Sequence, residues 1–125
     1  MKRFFVLVAA AAALNVANAQ VDEGMDVVLP DDARKCVLPA SPDAIPVEAS
    51  YDDLKAAKQD VADFQSKITV FRDCLAEADK NPDNTLGNKQ AIVDSYNYSV
   101  EMEERVANRF NEAVRIYKER KAAEG

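Results

Sequence analysis

Ser50 to Asp79, which reads SYDDLKAAKQDVADFQSKITVFRDCLAEAD, decides the fold. Its apolar residues are Leu54, Ala57, Val61, Phe64, Ile68, Phe71, Leu75 and Ala78, spaced alternately by three and four. An α-helix turns once in about 3.6 residues, so this alternation lines one helical face and forms a coiled-coil-like seam. Ser50 and Asp53 occupy the two positions of a capping box, and Asp52 and Asp53 suit the positive end of the helix dipole. Asn81-Pro82 ends the pattern, because the residue before proline is pushed out of helical geometry.

Beyond it, residues 80–88, KNPDNTLGN, are turn chemistry. The spacing then predicts a second helix over about 89–122. Its stripe is Val93, Tyr96, Val100, Glu103, Ala107, Phe110, Val114 and Tyr117, widened on one side by Ile92, Val106 and Ala113. Lys118, Arg120 and Lys121 suit the negative end of that helix. Two long helices joined by a short loop fold back on each other, so the expected fold is all-α, an antiparallel two-helix hairpin over about 51–79 and 89–122. Counting outward from the loop sets Phe64 near Glu103, Phe71 near Tyr96 and Tyr51 near Tyr117. Glu103 is the one acid in the second seam, and Lys67 flanks the first seam within reach of it as a rim pair.

Towards the N-terminus, residues 35–49 carry Pro39, Pro42 and Pro46. Each fixes its own φ and holds its predecessor extended, which predicts a Pro-rich strap. Residues 20–34 are acidic without a helical or strand period and read as a flexible arm. Residues 1–19 read as a secretory signal peptide: Lys2-Arg3, then apolar Phe4 to Leu14, then Ala17-Asn18-Ala19 before Gln20. That apolar core is too short to span a bilayer, which takes about 20 residues. The expected product begins at Gln20, is periplasmic or secreted, and does not insert in a membrane. Cys36 in the strap and Cys74 in the first helix suit a disulfide in an exported chain. The strap reaches about 50 Å when extended, against about 35 Å of helix to be matched, so it can run back along the helix. Free or intermolecular thiols are the alternative; a redox pair would want C-x-x-C spacing.

Composition narrows the function. The 125 residues carry 16 Lys and Arg against 22 Asp and Glu, a net charge of −6, which argues against a nucleic-acid partner. There is no His, so the commonest general base and metal ligand are missing. Three glycines provide no phosphate loop, no catalytic residues stand out and no cofactor is implied, so an enzyme is not expected. Asp79, Asn81 and Asp83 fall on the first three positions of a calcium loop over 79–90, but Asn84 replaces its Gly and Gln90 its bidentate Glu. Tyr98 stands two residues off the second seam and is the best single candidate for an exposed partner contact.

Cys36-x-x-x-Pro39, Ile45-Pro46, Cys74-Leu75 and Phe110-Asn111-x-x-Val114-Arg115-x-Tyr117-Lys118, in that order, resemble a group of small exported proteobacterial helical-hairpin proteins. The resemblance covers residues 36–118 and implies export, a hairpin and a disulfide, with no chemistry. Within the ending, Asn111 could bond the strap and Arg115 an acid on the first helix. The expectation is therefore a non-enzymatic exported protein with an interaction or envelope-structural role, working with a protein partner or as a homodimer. The alternatives are a calcium-binding loop module at 79–90 and a holdase-like periplasmic chaperone.

Overall fold

The structure is a computed structural model that describes residues 25–125. The expected signal peptide over 1–19 and the start of the arm, with Gln20, lie outside the described residues. Three helices are present: α1 (Asp31–Arg34), α2 (Tyr51–Asp79) and α3 (Leu86–Glu124). There is no strand among the described residues. The Ser50 hydroxyl accepts from the Asp53 N–H at 3.1 Å and the Asp53 carboxylate from the Ser50 N–H at 2.9 Å, closing the expected box. α3 starts at Leu86, three residues before the predicted start, because Thr85 and Asn88 form a second capping box at 3.0 Å in each direction. In the sequence those two residues read as turn chemistry. Between the helices the Asn84 side chain donates to the Ala78 carbonyl at 2.8 Å, one of the last carbonyls of α2, which also accepts from the Asn81 N–H at 3.3 Å.

α2 and α3 pack together and run antiparallel. Asp79 meets Lys89 beside the loop, Arg72 meets Glu103 midway, and Arg120 near the end of α3 bonds Ala49 just ahead of α2. The α2 seam is the predicted one: Leu54, Phe64, Ile68, Phe71, Leu75 and Ala78 are buried, with Ala57 and Val61 partly so. The α3 seam differs. Its buried residues are Gly87, Ala91, Ile92, Ser99, Met102 and Val106, while Val93 and Tyr96 are 50% and 45% exposed. The contact centre lies one position round the helix from the predicted stripe, towards residues expected only to widen it. Phe64 and Ile68 cluster with Met102 and Val106; Glu103 turns to the flank. Tyr51 and Tyr117 line one groove, as the expected register requires.

Residues 25–34 correct the expected flexible arm. They include α1, whose Ala33 is 1% exposed and joins Phe71, Leu75, Ala78 and Ile92 in a core cluster at the loop end. The Val28 carbonyl accepts from Asn88 Nδ2 at 2.8 Å, and Asn81 Nδ2 donates to Asp32 at 3.2 Å. Gly87 is required here: a Cβ on it would sit 2.0 Å from the Asp26 carbonyl oxygen. Cys36 and Cys74 are disulfide-bonded, with Cα atoms 5.6 Å apart. Residues 37–49 hold no helix, and Pro39 and Ala49 are buried. Arg120 donates to the Ala49 carbonyl at 3.1 Å and to that of Val47 at 3.4 Å. Arg115 was expected to reach α2 but instead bonds Glu112 and Glu119 on its own helix, and Asn111 is exposed.

Candidate functional site

The two sides of the α2–α3 seam are lined by different residues. On one side, Pro42 to Val47 lie over hollows formed by Ala57, Val61 and Val106, and further along by Ala113 and Ile116. On the other, a groove runs between Tyr51, Leu54, Lys55, Lys58 and Ala62 of α2 and Phe110, Val114, Tyr117 and Lys118 of α3. The α3 residues of this groove belong to the predicted stripe. The periodicity of three and four therefore continues the same edge to Ala107, Val100, Tyr96 and Val93. The stripe is a real apolar face that borders the seam without centring it.

Midway along that edge Arg72 gathers three contacts. Its Nε donates to the Ser99 hydroxyl at 2.9 Å, and its guanidinium lies 5.6 Å from the centre of the Tyr96 ring. Its Nη2 approaches Glu103 at 2.6 Å as an ion pair, out of line for a hydrogen bond. Ser99, fully buried, donates on to the Tyr96 carbonyl at 2.6 Å. The partner of Glu103 is thus Arg72, not the expected Lys67. Sequence reasoning missed both Arg72 and Ser99. An Arg one position past the Phe71 seam residue, opposite the only acid in the facing stripe, was the available signal. Ser99 gave none, because a serine is buried only where its hydroxyl is satisfied.

The remaining candidates lie apart from this groove. Tyr98 is 48% exposed beneath Arg105, at 5.8 Å, and shares a hollow with Leu29, Ala33 and Cys36 on the side of the N-terminal segment. Asp79, Asn81 and Asp83 do not converge. Asp79 faces Lys89 at 3.8 Å, and the Asn81 carbonyl oxygen accepts from the Asp83 N–H at 3.0 Å as in an Asx turn. No group of three or more His, Cys, Asp or Glu among the described residues is placed to hold a metal. Cys36 and Cys74 act as a staple between the N-terminal segment and α2. No protein-family model, curated protein or solved structure matches the chain.

Proposed function

We propose that this is a non-enzymatic exported protein that works by docking another protein on the open side of its helical hairpin. The observation that carries this reading is the α3 edge from Val93 to Tyr117. It is apolar at helical spacing, yet Val93 and Tyr96 remain half exposed and Phe110 and Val114 line an unfilled groove. An apolar stripe wider than its intramolecular contact needs is the mark of a partner face. The Pro-rich strap, stapled at Cys36, occupies the other side and leaves this one available. Export follows from the leader-like residues 1–19 and is supported by the disulfide, which persists in oxidising compartments. No helix of the described residues is long and apolar enough to cross a membrane.

Site-specific photo-crosslinking tests the reading. A crosslinking residue placed at Val93, Val100 or Val114 should give one defined adduct in producing cells. The same residue at Val70, 69% exposed and off both seams, should give none. Equal labelling at all four positions, or at none, would sink it.

A further inference from the structure

We infer that the open groove takes an acidic amphipathic helix as its occupant, a deepening that rests on the docking face proposed above. The charge around the groove is the first argument. Its rim is Lys55, Lys58 and Lys118, all exposed, and none of them forms an ion pair among the described residues. Lys121 lies at the same end, its ammonium 5.6 Å from the centre of the Tyr117 ring and paired with Glu124 at 3.3 Å, so the free charge is that of the three rim lysines. This basic rim stands in a chain of net charge −6. Two acids along the same edge are engaged, Glu103 by Arg72 and Asp79 by Lys89. The edge therefore offers apolar floor and uncommitted positive charge, which complements an apolar stripe flanked by carboxylates.

Shape is the second argument. The edge from Val93 to Tyr117 is 24 helical steps, about 36 Å at the α-helical rise. The groove on it runs from Tyr51 to Ala62 along α2, 11 helical steps or about 17 Å, which seats about three turns of a third helix laid along it, with anchors at helical spacing. A second copy of the chain fits less well. A two-fold mate centred on this end would set Lys55, Lys58 and Lys118 against their own counterparts, like charge on like.

The test uses the purified protein and two synthetic amphipathic peptides that share a Leu face and differ only in flanking residues, Glu in one and Lys in the other. Titration should show the Glu peptide binding at least about tenfold more tightly, with affinity falling as salt rises. Charge reversal at Lys55, Lys58 and Lys118 together should invert the preference, and Val114→Asp should abolish binding of both peptides. The lysines are exposed, so unchanged circular dichroism will show that the reversal variant folds. Equal binding of both peptides, lost in Val114→Asp, would overturn the acidic assignment and leave the docking face standing. No binding of either peptide would overturn the assignment, and absence of the Val93, Val100 and Val114 adducts would overturn the docking face with it. Preference for vesicles of equal phosphatidylcholine and phosphatidylglycerol would give the groove to a lipid surface. A dimer by light scattering that Val114→Asp dissociates would give it to a second copy. Either result overturns the proposal.

Discussion

On one side of the helix pair, residues 36–49 run over Ala57, Val61 and Val106, held at one end by the disulfide and at the other by Arg120. On the other side Phe110, Val114 and Tyr117 line a groove that no described residue fills, bordered by Lys55, Lys58 and Lys118. A two-helix pair has one seam and two flanks, and each helix here carries more apolar width than the seam can bury. The chain closes one flank by a covalent bond and by backbone carbonyls given to a guanidinium. It leaves the other apolar and rims it with basic side chains. Packing on the first flank is thus a matter of stability. The second flank carries the Arg72–Glu103 pair and, beyond it, an apolar groove that the described residues leave open.

Breaking the staple should have the largest effect. The Cys36–Cys74 bridge closes a separation of 38 residues, and the chain-entropy argument gives it roughly 4 kcal/mol. Cys36→Ala with Cys74→Ala should lower the urea midpoint accordingly and speed amide exchange in residues 37–49. Loss of stability without faster exchange there would mean that the segment is held by its packing alone. Next comes a paired truncation. Ile68 is 0% exposed, and Ile68→Ala should cost about 2–5 kcal/mol, whereas Val93→Ala on the open flank should change stability by less than about 0.5 kcal/mol. Similar costs at both positions in urea melts would erase the distinction between core and open flank.

The same contrast explains what the sequence disclosed. The α2 stripe was legible to the residue, because every core position from Leu54 to Ala78 is apolar and the two faces of the helix differ in polarity. The buried α3 residues lie one position round from the stripe that its spacing predicts. Apolar residues occur both at the seam (Ile92, Met102, Val106) and along the open edge (Val93, Tyr96, Val100), and periodicity weights both alike. The polar Ser99 interrupts the apolar pattern of the seam, and its burial depends on Arg72, which lies on another helix. The docking of residues 25–34 was illegible for a similar reason. It relies on Asn88, Asn81 and the bare Gly87, polar or small residues whose partners are about 50 or 60 positions away. The loop candidates Asp79, Asn81 and Asp83 share a ligand-like spacing with ordinary turns, and in the structure the Asn81 side chain accepts from the Asp83 N–H while Asp79 pairs with Lys89.

Gly87→Ala sharpens the account of that N-terminal segment. The added methyl meets backbone, Asp26 O at 2.0 Å and Asp26 C at 2.7 Å, which cannot step aside as a flexible side chain would. Overpacking of this kind costs about 1–3 kcal/mol. The expected outcome is displacement of residues 25–29, seen as faster exchange at the Val28 amide and protease cleavage ahead of α1, with the α2–α3 core unchanged. If the variant melts like the parent and the segment stays protected, the Asn88 and Asn81 contacts do not depend on the close approach at Gly87.

The smallest effect lies at the start of α2, the helix common to both flanks. Ser50→Ala removes the hydroxyl that accepts from the Asp53 N–H and should cost about 1 kcal/mol. Asp53 adds a pH signature to this end. The hydrogen bond from the Ser50 backbone N–H, followed by that from its side chain, holds the Asp53 carboxyl below its usual pKa. A group whose pKa is lower folded than unfolded stabilises the fold above its unfolded value, and that contribution fades as pH falls through the folded value. Because the unfolded value is about 3.9, the stability gap between the parent and Asp53→Asn should be constant near neutral pH and close only below about pH 4. Urea melts followed by circular dichroism across that range measure the gap directly. A gap that already narrows near neutral pH would point to a different carboxylate, and one that persists in strong acid would show that Asn disrupts the cap by shape and not by loss of charge.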